Sequence, residues 1–213
     1  GTPLRRALRG AGRHFECRSS DIFGSGSNTA PGNSACPILA APDGNCQQNY
    51  SLLISDGTWN GGSPSLGDPD DDNNTNFDGG VYAGSTNNTL ADVAMHYYER
   101  DLHSTLGNEV PTSARDKAGA SEIAFENGEN EVMHQHMKTF TVGFGVVGAI
   151  NQATIPTNFT QSFNWGNPNS SAGKIDDMIH AATNGRGDYL SAGDADALSQ
   201  ALIAAFDEFA QGS

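Results

Sequence analysis

The segment that most constrains the fold is residues 46–57, CQQNYSLLISDG. A polar start gives way to a short apolar run, which ends abruptly at Ser55, Asp56 and Gly57. This pattern predicts a buried strand that is followed at its carboxyl end by a loop containing the acidic residue Asp56. Ligands of open α/β sheets bind at that edge. Asp56 is therefore a candidate ligand-binding residue, and the alternative is that it only caps a turn.

The charge balance narrows the class of partner. The chain has 213 residues and a formal net charge of −14, from 25 acidic side chains against 11 lysines and arginines. Such an excess of acid argues against nucleic acid and anionic membranes as partners. No stretch approaches the roughly 20 apolar residues of a membrane span. The length predicts one domain, or one domain with large insertions.

Three cysteines, Cys17, Cys36 and Cys46, are close together in the sequence. They form no C-x-x-C pair and have no adjacent histidine, which argues against a zinc site. One disulfide is expected, with a third thiol that is free or partnered elsewhere, and a disulfide implies an oxidising compartment. The sequence leaves the connectivity open. Cys46 is the expected participant because it is anchored at the start of the predicted strand.

Apolar periodicity and turn residues predict alternating helices and strands. Strands are predicted at 48–55, 139–146 and 187–192. Helices are predicted near 3–10, 89–103, 174–184 and 194–209. The alternation predicts an α/β fold with a parallel sheet and crossover helices. The whole of 1–213 is predicted to be a single domain, with loop insertions at 16–45 and 57–88, the latter too long to be a simple connection.

An acidic run within the second loop, GDPDDDNNTNFDGG (67–80), is a candidate calcium site. Its oxygen-bearing side chains fall at alternate positions, as in a Ca²⁺ loop. The candidate ligands are Asp68, Asp70, Asp72, Asn74 and Asp78. No glycine occupies the sixth position and Gly79 stands at the twelfth in place of glutamate, so the alternative is a solvated acidic loop.

Several blocks of the sequence together resemble one family. The blocks are SLLISDGTWNG (51–61), FDGGVYAGSTNNTLADVAMHYYERDL (77–102), HQHMKTFTVGFGV (134–146) and KIDDMIHAATNGRGDYLSAGDADALSQAL (174–202). They are similar, in order and spacing, to the N-terminal von Willebrand factor A domain of type IV pilus tip and biogenesis proteins of the PilC/PilY family. The resemblance implies a partial von Willebrand A (Rossmann-like) fold, of which this sequence carries the C-terminal half.

The resemblance also implies half of a metal-ion-dependent adhesion site. Thr2 matches the threonine of its second loop and Asp56 the acid of its third. The Asp-x-Ser-x-Ser strand that starts the family domain is not found in this sequence. Hydroxyl and carboxylate oxygens suit Ca²⁺ or Mg²⁺, but two protein ligands rarely suffice. We therefore expect the missing N-terminal half, from the same polypeptide or another chain, to lie against residues 48–55.

The function implied by the resemblance is non-enzymatic. The chain is expected to be an adhesion and assembly module at a type IV pilus tip or the outer cell surface, exported through the periplasm. Its expected partners are minor pilins and a host or surface receptor. The alternative is a structural or force-sensing scaffold in pilus biogenesis, with calcium in a purely stabilising role.

Other motifs are interpreted as structural. Arg186, Gly187 and Asp188 spell an integrin-recognition tripeptide, but between a predicted helix and strand they favour a turn. His134 and His136 flank Gln135 just before a predicted strand, with no third metal ligand nearby, which favours surface histidines. No G-x-S-x-G or phosphate-binding glycine loop occurs in a suitable context, so no enzyme is predicted.

Overall fold

The computed structural model of this chain describes residues 2–17, 36–112, 116 and 132–211. The strands are β1 (Asn49–Ser55), β2 (Val110–Pro111), β3 (Val132–Met133), β4 (Met137–Phe144) and β5 (Arg186–Ala192). The α-helices are α1 (Leu4–Phe15), α2 (Leu90–Tyr98), α3 (Ser171–Asn184) and α4 (Ala195–Gln211). Short 3₁₀ turns lie at Asp43–Cys46 and Gln152–Thr154.

Three of the strands form the parallel sheet that the sequence predicts. Their order is β1-β4-β5, and both pairings are parallel. Helix α2 lies in the connection from β1 to β4, and α3 connects β4 to β5. The predicted α/β class is therefore confirmed. Because parallel strands all end at the same edge, the loop after β1 emerges on the same edge as the chain after β4 and β5, with the end of β4 next to it.

The two faces of the sheet are covered by different helices. On one face Leu53 and Met137 pack with α1, α2 and α3 in the largest apolar cluster. On the other face Phe209 of α4 stacks on Tyr50 at 4.3 Å and meets Phe140 edge-on at 4.9 Å between ring centroids. This second face is less completely covered, since Ile54 of β1 is 44% exposed.

Helix boundaries differ from the predicted ones where tertiary contacts intervene. Helix α2 ends at Tyr98 rather than at residue 103, because the chain turns away and the Leu102 amide donates to the Gln135 carbonyl. Helix α1 runs on to Phe15 and crosses α2 closely, with Gly12 directly against the ring of Tyr97. The antiparallel pair β2–β3 was not predicted, since two-residue strands carry no periodic signal.

A disulfide joins Cys17 to Cys36, with their Cα atoms 4.7 Å apart. The expectation of a disulfide is confirmed, but the expectation that Cys46 takes part is wrong. Cys46 is free and exposed. It ends a 3₁₀ turn and directs its thiol to the Asp43 carbonyl, so its place before β1 does not aim it at either partner.

The long segment 57–88 contains no helix or strand, as predicted. Its last residue, Asn88, is tied back to the interior of the segment, since its side-chain oxygen accepts hydrogen bonds from the amides of Leu66 and Gly67. Most of the predicted 16–45 loop, residues 18–35, lies outside the described residues. Within the described part of the chain, no helix is both long enough and apolar enough to cross a membrane.

Candidate metal centre

Of the two residues of the expected adhesion-site half, Asp56 follows β1 and Thr2 is bonded to the loop that comes after it. Asp56 directly follows β1 and is exposed. The Thr2 amide donates to the Asn60 side chain at 2.8 Å, and the Asn60 amide donates to the Thr2 carbonyl at 2.9 Å. Thr2 is thus held against the loop that follows Asp56. Among the described residues, Asp56 belongs to no cluster of three ligating acids, histidines or cysteines.

Three other carboxylates converge inside the protein. Asp68, Asp70 and Asp92 each offer an oxygen within 4.8 Å of the other two. Asp68 is half-buried, whereas Asp70 and Asp92 are buried. Asp68 and Asp70 come from the long loop and Asp92 from the first turn of α2, so the cluster forms only when the loop packs on that helix.

Asp70 is held by a later part of the same loop and by helix α3. Its carboxylate accepts hydrogen bonds from the Gly84 amide at 3.0 Å and from the side-chain amide of Asn184, at the end of α3, at 2.9 Å. Burial, reinforced by the charge of Asp92, raises the pKa of Asp70 to about 8. The Nε2 atom of His180 lies 3.6 Å from this carboxylate but is also 2.6 Å from the Tyr82 carbonyl.

The two carboxylate oxygens of Asp92 have different surroundings. One oxygen accepts hydrogen bonds from the amide and hydroxyl of Thr89 and completes the capping box at the start of α2. The other, Oδ1, is buried and has no hydrogen-bond partner in the described structure. Burial raises the pKa of Asp92 to about 7, in opposition to the Thr89 hydrogen bonds.

The remaining predicted calcium ligands lie elsewhere. Asp72 is exposed, and its carboxylate accepts hydrogen bonds from the backbone and side-chain amides of Asn74 at 3.1 and 2.8 Å. Asp78 is buried with one unpartnered oxygen within the described chain, but it does not belong to the three-carboxylate cluster. The structure therefore brings together Asp68 and Asp70 but not all five predicted ligands.

A second potential set of ligands is already occupied by a covalent bond. Cys17, Cys36 and His103 also place ligand atoms within 4.8 Å of one another. Both sulfurs are in the disulfide, so neither is a thiolate that could bind a metal.

The integrin-type tripeptide is not displayed. Arg186 is only 3% exposed, and its guanidinium lies 3.6 Å from the ring centroid of Tyr82 and 4.5 Å from that of Tyr98. The tripeptide is structural, as interpreted, but its residues begin strand β5 rather than form a turn. The interpretation of His136 as a surface residue is wrong, since it is buried beside Tyr98 and bonded to the His134 carbonyl.

The chain is similar in sequence to type IV pilus biogenesis factors. The type IV pilus biogenesis factor PilY1 of Pseudomonas aeruginosa (strain UCBPP-PA14) is 30% identical to it over 222 aligned residues, which cover 95% of this chain. PilY1 of strain PAK is 28% identical over 226 aligned residues, which cover 98% of it. The chain belongs to the PilY family.

This PilY-family chain spans only 18% of the length of each of these relatives. No family model matches the chain, and no solved structure matches it significantly.

Sequence reasoning missed Asp92 as a member of the cluster and Asn184 as the side chain that donates to Asp70. Asp92 stands three residues after Thr89, and that spacing predicts a capping box, which accounts for only one of its two oxygens. Asn184 stands before Gly185 at a helix end, where asparagine is unremarkable. One sequence signal was available. Asp92 lies in TLADVA and Asn184 in HAATNGRG, and both stretches belong to the blocks that resemble the PilC/PilY family.

Proposed function

We propose that this chain is a non-enzymatic adhesion and assembly module of a type IV pilus protein. It acts outside the cell, at the pilus tip or outer surface, where it binds a surface receptor and docks on minor pilins. The similarity to PilY1 over nearly the whole chain supports a place in pilus biogenesis. The disulfide between Cys17 and Cys36 suits an oxidising compartment.

The observation that carries the adhesive part of the proposal is the position of Asp56. It is exposed at the carboxyl edge of a parallel sheet, the edge at which ligands of this class of fold bind. Thr2 is fixed against the next loop through Asn60. We propose that this is the second half of a von Willebrand A domain and that a further segment completes a Ca²⁺ or Mg²⁺ site at Asp56.

The adhesive role is tested with the Asp56→Ala variant of the full-length protein that carries this chain. Surface attachment of the cells, the number of pili per cell and recovery of minor pilins with the protein are measured together. The expected result is reduced attachment with normal piliation and normal recovery of minor pilins. Unchanged attachment would contradict the proposal. Asp207→Ala, an exposed acid on α4, is the matched control.

A second candidate function is a structural or force-bearing scaffold in pilus assembly. The burial of Asp70 and Asp92 favours it, because an ion held by buried carboxylates stabilises the fold without contacting a receptor. The two functions differ in one outcome. In a scaffold, Asp56→Ala leaves attachment unchanged, whereas disruption of the core removes pili and attachment together.

A further inference from the structure

We propose that Asp68, Asp70 and Asp92, together with the side-chain oxygen of Asn184, form a structural Ca²⁺ site that binds the long loop to helices α2 and α3. This ligand set differs from the alternate residues of the loop, since half of it comes from the helices. The site is independent of the proposed adhesive function.

Unpaired oxygens in the interior are the first argument. Asp92 Oδ1 and Asn184 Oδ1 belong to fully buried side chains and have no hydrogen-bond partner among the described residues, and the same is true of Oδ1 of half-buried Asp68. Buried polar atoms are nearly always satisfied, so each such atom needs an explanation. An ion bound between these side chains would give all three oxygens a partner.

Charge is the second argument. No lysine or arginine of the described chain forms an ion pair with these three carboxylates. His180, whose Nε2 atom lies 3.6 Å from the Asp70 carboxylate, already lies within hydrogen-bond distance of the Tyr82 carbonyl. The first turn of α2 offers only the partial positive charge of a helix start. A divalent cation would balance two of the three negative charges that these carboxylates carry when they are ionised.

Ligand chemistry selects the ion. Carboxylate and amide oxygens are hard ligands, which suit Ca²⁺ and Mg²⁺ better than zinc or copper. Ca²⁺ takes six to eight oxygens at about 2.3–2.6 Å, so ligands on opposite sides of it lie about 5 Å apart. The carboxylate oxygens of this cluster lie within 4.8 Å of one another. Ca²⁺ also tolerates an irregular set of ligands from three separate segments, whereas Mg²⁺ demands a near-ideal octahedron.

The consequence is a link between distant parts of the chain. Asp68 and Asp70 lie in a segment without regular structure, while Asp92 and Asn184 lie in two helices that pack on the sheet. An ion that joins them would order the acidic part of this loop, in addition to the apolar packing of Trp59, Val81 and Tyr82 elsewhere in it. Thermal stability and protease resistance of this loop should therefore depend on calcium.

Calcium titration of the purified chain, stripped of metal by a chelator, tests the site. Calorimetry measures affinity and circular dichroism measures the melting temperature, with Mg²⁺ titrated in parallel. We expect stoichiometric Ca²⁺ binding, a higher melting temperature and weaker binding of Mg²⁺. A folded chain whose melting temperature is the same in chelator and in millimolar Ca²⁺ would overturn the proposal, as would binding of Mg²⁺ in preference to Ca²⁺.

Two substitutions distinguish this ligand set from the sequential loop. Asp92→Asn should lower Ca²⁺ affinity at least tenfold, whereas Asp72→Asn, an exposed acid of the same loop, should change it less than twofold. The opposite ranking would overturn the proposed ligands. Because Asp92 also caps α2, Asp68→Asn serves as a second variant. This substitution changes a half-buried side chain that has no role in the cap. It should also lower Ca²⁺ affinity at least tenfold.

Discussion

The carboxylate of Asp177 on α3 accepts a hydrogen bond from the backbone amide of Leu90, the first residue of α2, at 3.0 Å. Its other oxygen accepts from the Ala91 amide at 3.2 Å. The first amides of a helix have no partner within the helix, so a buried helix start needs acceptors from elsewhere. One helix thereby satisfies the start of another, and this fixes the position of Asp92 relative to Asn184.

Replacement of Asp177 by alanine should destabilise the protein strongly. Two buried amides would lose their acceptor, at a cost of about 1–3 kcal/mol for each group left unsatisfied. The free energy of unfolding, measured with denaturant, should fall accordingly. Asp207→Ala on the exposed face of α4 is the control and should change it little. Equal stability of the two variants would contradict the role of Asp177.

Replacement of Arg186 by lysine should also destabilise, although charge is conserved. The guanidinium stacks against two tyrosine rings and donates to the carbonyls of Asn184 and Phe77 at 2.8 and 2.9 Å. An ammonium cannot reproduce this planar arrangement. We expect a loss of about 2 kcal/mol or more, the scale of a desolvated cation–π contact. A melting temperature equal to that of the parent chain would exclude this role.

The cysteine pairing predicts one free thiol. Titration of thiols in denaturant without reductant should find one, that of Cys46. Cys36→Ser should destabilise by about 3 kcal/mol, the chain-entropy value for a loop of this size. Cys46→Ser should leave the free energy of unfolding nearly unchanged. A stability loss with Cys46→Ser and none with Cys36→Ser would contradict this pairing and show that Cys17 pairs with Cys46.

Buried His136 should make stability depend on pH. Burial lowers its pKa from 6.5 to about 4, with His134, Tyr98, Asp116 and Lys138 around it. The unfolded chain then binds the proton first as pH falls, so the stabilisation is present above pH 6.5 and is lost toward pH 4. A depression of this size corresponds to about 3 kcal/mol.

The test compares the parent chain with His136→Gln at several pH values. The parent should lose more free energy of unfolding between pH 7 and pH 4 than the variant does. The comparison cancels the contribution of the acidic groups that both proteins share. Parallel pH profiles would rule out the predicted contribution of His136.

The free edge of β1 should attract another strand. Among the described residues β1 pairs with β4 alone, and Ile54 on it is 44% exposed. An apolar strand with an unpaired edge is a site for association. We expect the isolated chain to self-associate as its concentration rises, measured by light scattering, and Ile54→Lys to reduce this. Val147→Lys, at a more exposed loop position, is the control. A parent chain that stays monomeric would refute the prediction.

Local sequence signals predicted the sheet and its helices well. The apolar run before Ser55 is β1, and Thr89 with Asp92 forms the predicted capping box. These signals depend on residues within a few positions of one another. The limits of α2 were predicted less well, because the hydrogen bond from Leu102 to Gln135 spans a long stretch of sequence.

The sequence by itself determined the order of the elements, the acidic character of the long loop and the edge at which Asp56 emerges. Only the tertiary structure decided that Cys17 pairs with Cys36 and that Asp68 and Asp70 meet Asp92. The physical reason is that periodicity and capping report neighbours along the chain. A buried cluster depends on how the loop, α2 and α3 pack together, and on which oxygens that packing leaves without a partner.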